Sequence, residues 1–219
     1  MVAAVGRAEA KEAFLDAAER LLIDVGYAGV TTRRLAEAAG TNHGLVHYYF
    51  GSMEELFVQV LERFTERLIA RQRAMYESDV AFIEKWRAAL RFLEEDLAAG
   101  YPKIWLELQA LAWNRPDLRE RVARVNGEWR AVLTDAFEPA MHDYGLDRRR
   151  FPSEAVVSLV MTFNEGIMLE RLTGVSEGHA ALLEAIDRWL ESLDHQAKQK
   201  RDKRSAKGGP LRPARGGGR

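Results

Sequence analysis

Over residues 14–193 the apolar side chains recur every three or four positions, and nowhere do they alternate over the length of a strand. A period near 3.6 gathers such residues on one face of an α-helix, so this chain can bury them only by stacking helices. Phe14, Ala18, Leu21, Leu22 and Val25 set the spacing first, and Gly26 ends it. Thr31 and Thr32 then offer an N-cap for a short helix over 33–39, closed by Gly40. Asn42 caps the next short helix, which runs through Tyr49. After Gly51 and Ser52 comes an amphipathic run of about six turns, with Leu56, Val60, Phe64 and Leu68 at heptad-like intervals.

Longer helices follow. Ser78 is a plausible N-cap for 79–99, and further helices are predicted over 102–114, 116–143 and 152–172, the last ended by Gly174. Prolines at the start of these segments suit the first helical turn. Ser176 caps a final helix ending near His195. The expectation is an all-α fold of about nine helices without internal repeats. Residues 1–52 hold three short helices, too small for a stable core of their own. Residues 53–195 form a larger bundle holding all five tryptophans, and the helix after Ser52 joins the two.

Composition narrows the function classes. There is no run of about 18 apolar residues, so no membrane span is expected. Glu9, Lys11 and Glu12 precede any long apolar run, unlike a signal peptide. The absence of cysteine removes disulfides and thiolate metal sites and suits a cytoplasmic location. The net charge of −1 hides an asymmetry: from Gln196 onward nine Lys/Arg face Asp202 alone, while 23 basic and 32 acidic side chains precede them. The tail 196–219 is expected to be disordered, serving either as a salt-sensitive contact to a polyanion or as a solubilising terminus. No Gly-rich phosphate loop or G-x-S-x-G elbow occurs, and pairs such as Glu54-Glu55 and Glu94-Glu95 suit solvated helix faces. An enzyme is not expected, and neither is a cofactor.

The stretch 40–52, GTNHGLVHYYFGS, carries the chemistry. His43 and His47 stand at i and i+4, as joint metal ligands would, but the Glu of H-E-x-x-H and a third nearby ligand are missing. His142, His179 and His195 are scattered singly. No metal site is expected. A helix-turn-helix fits better: Leu35, Ala36 and Ala39 supply the first helix, Gly40 the turn, and Val46 and Tyr49 the surface that packs back. His43, Gly44, Leu45, His47 and Tyr48 are then presented outward, and the free N–H groups after Asn42 suit a phosphate. Histidines facing solvent without a role are the bland alternative.

The string GVTTRRLAEAAGTNHGLVHYYFGSMEEL resembles the N-terminal module of the TetR family of bacterial transcriptional regulators. The resemblance implies a homodimer whose two reading helices enter successive major grooves of a palindromic double-stranded DNA operator, with half-sites roughly 34–36 Å apart. It also implies roles by position. Thr31, Thr32 and Arg33 open the positioning helix and touch phosphates or a nearby base. His43, Gly44 and Leu45 face base edges, and His47 and Tyr48 reach phosphates or bases. Phe50 is structural. Two positions depart from the family pattern: His47 stands where a tyrosine is usual, and Met53 where a phosphate-contacting lysine is usual.

In the larger half, residues 153–172 are apolar in nearly every direction around the helix axis. Such a helix is buried on more than one side. One side meets its own core; the other meets another subunit or further parts of the same one. With the final helix, the resemblance implies a dimer interface through Val156, Val160, Phe163, Ile167, Leu183, Ile186, Trp189 and Leu190. Trp105, Gln109 and Trp113 share one helical stripe, and with Trp129, Phe163 and Glu165 they are candidate contacts for an unknown, mostly apolar effector. Aromatic residues at helical spacing also serve simply as core. The expected function is a ligand-responsive DNA-binding regulator, most simply a repressor that leaves its operator when the effector binds. A ligand-independent regulator or activator, or a helical protein-interaction module, is the alternative.

Overall fold

The computed structural model describes residues 2–207, with side chains for residues 6–203. Nine α-helices appear among them: α1 Val2–Val25, α2 Thr32–Ala38, α3 Gly44–Phe50, α4 Met53–Tyr76, α5 Phe82–Ala98, α6 Tyr101–Ala112, α7 Pro116–Asp143, α8 Ser153–Leu172 and α9 His179–Lys207. A single 3-10 turn, Tyr27–Gly29, links α1 to α2, and no strand occurs among the described residues.

The short helices are fixed by local chemistry. Thr31 Oγ1 accepts the Arg34 N–H at 3.2 Å and so caps α2. At the other end Gly40 has φ +63°, a conformation that costs a side-chain-bearing residue energy. There the Gly40 N–H donates to the Glu37 carbonyl and the Thr41 N–H to the Ala36 carbonyl, a Schellman closure that turns the chain into α3. Asn42 Oδ1 accepts the Gly44 N–H at 2.9 Å, while the cap position itself belongs to His43. Ser52 Oγ accepts the Glu55 N–H at 3.1 Å and starts α4.

One hydrophobic core runs from the N-terminal helices into the bundle. Phe14, Ala18 and Leu22 of α1 meet Leu35, Ala36, Val46 and Phe50, and the same cluster continues through Leu56, Val60 and Phe64 of α4 to Ile104 and Leu108 of α6. α1, at 24 residues, is longer than expected, but α2 and α3 are short, and all three lean on α4 and α6 for their burial.

Three expectations fail at the helix ends. Ser78 does not open α5, which begins at Phe82; its Oγ donates to the Met75 carbonyl at 2.6 Å and closes α4 instead. Ser176 precedes α9 by three residues rather than capping it with its side chain; its backbone carbonyl accepts the His179 N–H. Residues 196–207, expected to be disordered, continue α9. Ala197 is buried against the cluster of Tyr144 and Leu190, and Lys198 pairs with Asp194 one turn back at 2.7 Å, so packing and an i,i+4 ion pair extend the helix. The rest of the expected tail, 208–219, lies outside the described residues.

Candidate functional site

α3 divides its side chains cleanly. Val46 and Phe50 are buried, and Tyr49 is half-buried with its ring 6.1 Å from that of Phe14. Asn42, His43, Gly44, His47 and Tyr48 are exposed, Tyr48 by 61%. Thr31 and Arg33 are exposed beside them and Thr32 is half-exposed. Leu45, expected outside, is half-buried against the core and offers only an edge. His47 Nδ1 donates to the Gly51 carbonyl at 3.1 Å, which orients the ring and leaves Nε2 as its remaining polar atom. No group of three His, Cys, Asp or Glu able to hold a metal occurs among the described residues.

Charge is partitioned in a way that the totals conceal. Residues 1–50 contain five basic and six acidic side chains. Three of those acids turn away to α4: Glu12 and Asp16 each lie 2.8 Å from Arg63 Nη1, and Glu19 takes Arg63 Nη2 at 3.1 Å and Arg67 at 2.6 Å. Arg7 and Lys11 of α1 stay beside α3, while Arg20 donates to the Ala38 carbonyl at the end of α2. The Arg7 guanidinium lies 5.6 Å from the Tyr48 ring centroid, and the Lys11 ammonium 5.7 Å from that of Phe50. The sequence reading missed these two cations. Their signal was there, since Arg7 and Lys11 extend the Phe14–Ala18 stripe back toward the N-terminus at i−7 and i−3 of Phe14.

A cavity of about 140 Å³ lies between α4, α5, α6, α7 and α8. Phe64, Tyr76, Trp86, Tyr101, Trp105 and Trp129 supply its aromatic wall, and Thr65, Gln72, Asp96, Asn164 and Glu165 its polar positions. Among the described residues no Lys, Arg or His lines it. Asp96 Oδ2 accepts from Arg71 Nη2 at 2.5 Å while Oδ1 has no partner. Burial holds the Asp96 carboxyl above the ordinary aspartate range, with Arg71 opposing and Glu95 adding to the rise. Burial likewise pushes the Tyr76 phenol upward. Gln72 Oε1 and Trp86 Nε1 are also buried without a hydrogen-bond partner.

Of the six candidate effector contacts, Trp105, Trp129 and Glu165 line this cavity. Gln109 stands one bond behind it, donating to Glu165 Oε1 at 3.2 Å. Trp113 does not join them: it is 71% exposed beyond the last turn of α6. Phe163 packs instead against the Trp86–Leu190 cluster between α5 and α9.

The expected interface residues divide as follows in the single subunit. Ile167 and Leu190 are buried within the subunit, and Val156, Val160, Phe163 and Ile186 pack half-buried against its own clusters. Leu183 is half-buried as well. Only Trp189 of the eight is open, at 49%. The stripe that faces outward on α8 is Ala155, Leu159, Thr162, Gly166 and Leu169, and on α9 Leu182, Ala185 and Trp189. With both sides of α8 apolar, sequence periodicity could not say which side the subunit keeps.

α6 touches both regions. Trp105 faces the cavity, while Glu107 Oε2 accepts the Tyr27 N–H at 2.5 Å and Lys103 Nζ donates to the Ile23 carbonyl at 2.8 Å. Gly26 makes room for this clamp, because at φ +71° a Cβ there would stand 2.7 Å from Glu107 Oε1.

Residues 14–60 match the family described as bacterial regulatory proteins, tetR family, and residues 87–195 match the C-terminal part of BetI-type transcriptional repressors. The chain is 26% identical over 181 residues to the HTH-type transcriptional repressor AcnR of Corynebacterium efficiens, covering 81% of this chain and 90% of that one. Its fold is similar to that of the regulator FadR from Bacillus subtilis solved with stearoyl-CoA, at TM-score 0.67 and 14% identity over 82% and 96% of the two chains. It is also similar to a regulator from Saccharomonospora viridis solved with choline, at TM-score 0.66 and 18% identity over 84% and 95%.

Proposed function

Because the chain belongs to the TetR family of bacterial transcriptional regulators, we propose that it is a DNA-binding repressor released by a small molecule received between α4 and α8. Residues 1–52 read DNA and residues 53–195 receive the ligand and form the dimer. Thr31, Thr32 and Arg33 position the head on the backbone; His43, Gly44, His47, Tyr48 and the edge of Leu45 meet the groove, with Asn42 at the helix start. Arg7 and Lys11 supply phosphate contacts in place of the lysine absent at Met53.

A second copy covers the open stripe of α8 and α9. Leu159 is 70% exposed, and Gly166, Ala155 and Ala185 let helices approach closely there. Two copies then set two reading helices at a fixed separation. The protein is assigned to the cytoplasm, where its DNA is, and no described helix is long and apolar enough to cross a membrane.

The observation that carries the reading is α6, which borders the cavity through Trp105 and holds the α1–α2 turn through Glu107. A ligand that displaces α6 acts on the head directly. Taking the head from 99% competent to 1% requires about 5.5 kcal/mol of differential affinity between the two arrangements. A mobility-shift assay with DNA from upstream of the protein's own gene tests the reading. A sequence-specific shift is expected, weakened about tenfold or more by the double substitution His43→Ala/Tyr48→Ala. An unchanged shift in that variant would sink it.

A further inference from the structure

We propose that the C-terminal end of α9 is a second DNA-contacting surface, which holds another stretch of duplex at the pole opposite the head, so that the protein bridges two DNA segments. This rests on the DNA-binding reading above and goes beyond it, since the head needs no second duplex. Residues 1–195 carry 23 basic and 32 acidic side chains, and a body of that sign repels a polyanion wherever it is not locally reversed. The reversal lies at the end of α9. From Lys198 onward Lys200, Arg201 and Lys203 are set against Asp202 alone, and the sequence beyond adds Arg204, Lys207, Arg212, Arg215 and Arg219 and no acid.

Packing fixes where this end stands. α4 begins at Met53 beside the head and, at 24 residues, carries its far end at Tyr76 about 36 Å away. There the Tyr76 and Phe137 ring centroids lie 6.2 Å apart, those of Phe82 and Phe137 5.1 Å, and those of Phe82 and Tyr144 6.1 Å. Ala197 is buried in the cluster of Ile83, Trp86 and Tyr144, so α9 leaves the body at this far pole. A Cβ on Gly145 would stand 3.7 Å from Lys200 Nζ, which sets that cation beside the α7–α8 turn. Arg148, Arg149 and Arg150 of the turn are balanced by Glu138, Asp143 and Asp147, so the excess charge is that of α9. Cations this far from α3 do not reach the duplex that α3 reads.

The form of the surface selects the partner. From Lys198 to Lys203 every side chain is exposed and none is apolar. Asp194 holds Lys198 at 2.7 Å, whereas Lys200, Arg201 and Lys203 form no ion pair among the described residues. A helix end that is polar all round has nothing to insert among lipids, because helices that lie on membranes carry an apolar face. A protein partner needs a buried aromatic or aliphatic anchor, which is missing as well. A duplex needs only charge: it presents one phosphate charge about every 1.7 Å, and each cation that meets it releases a counterion. Such contacts are weak, with Kd on the order of 10⁻⁴–10⁻⁶ M, yet a neighbouring stretch of the DNA already held by the head is present at high effective concentration.

Capture on beads tests the proposal with the full chain. Beads coated with duplex of unrelated sequence are mixed with the protein and a labelled duplex from upstream of its own gene, and a mobility shift reads the head separately. The full chain is expected to carry the labelled duplex onto the beads. Lys200→Gln/Arg201→Gln/Lys203→Gln should lower that capture about tenfold and reduce its slope against salt, on logarithmic scales, by about 3. The specific shift should stay unchanged, which also shows the variant folded. The proposal is overturned if the full chain captures nothing or if the variant captures as well. It is equally overturned if the variant weakens the specific shift as much as the capture, which would put α9 and the head on one duplex. Binding to phosphatidylglycerol vesicles with none to the unrelated duplex would overturn it in favour of a membrane. Binding of unrelated duplex that the triple variant loses, without any specific shift, would support the α9 surface and overturn the DNA-reading head. A specific shift without capture would do the reverse.

Discussion

Around Phe14 the side chains of Ala17, Ala18, Leu22, Leu35 and Val46 retain no exposed surface. The wall of the cavity beyond α4 is different: Gln72, Trp86 and Asp96 each bury a polar atom without a partner there. Both regions lean on α4, yet one is packed solid and the other is not. The difference follows from what each presents. A head that reads a groove works from its outside and needs a backing that does not yield. A receiving site works from its inside and must leave room and unsatisfied groups for its guest.

Four substitutions separate packing from reception, and the largest effect belongs to the head. Phe14→Ala is expected to cost about 3–5 kcal/mol in denaturant unfolding, because the cavity forms where nothing can collapse into it. Since the core is continuous from α1 to α6, unfolding should remain a single transition; two separated transitions would break the picture of a shared core. A sharper contrast comes from one change made on both sides. Ala18→Leu, at a site without exposed surface, should destabilise by about 1–3 kcal/mol. Ala89→Leu, on the cavity wall, should instead stabilise by about 0.5–2 kcal/mol and abolish ligand binding. Equal signs for the two would erase the distinction. A comparable effect is expected at the turn: Gly40→Ala meets open space, so only its φ of +63° is penalised, by about 1–2 kcal/mol in thermal unfolding.

The head was legible because its chemistry is local. Thr31 caps through Arg34, Gly40 closes α2 on Glu37, and Val46 and Phe50 stand one turn apart, so spacing alone conveys each of them. Arg7 and Lys11 escaped because charge totals average over acids that α4 neutralises. In the bundle, pattern fixed the helices but not their rotation. Trp105 and Trp113 lie two turns apart on one stripe, yet α6 ends at Ala112 and Trp113 falls into solvent. Gln72, Trp86 and Asp96 come from α4 and α5, and no sequence interval relates them to Glu165 on α8.

α6 places Trp105 and Glu107 two residues apart, one on the cavity and one on the turn that leads to α2. Two sites joined so closely are thermodynamically reciprocal: whatever factor the ligand takes from operator affinity, the operator takes from ligand affinity. The operator is then itself an effector of the cavity. A repressor seated on its promoter is the less sensitive receiver, and the copies free in solution or on nonspecific DNA bind the signal first.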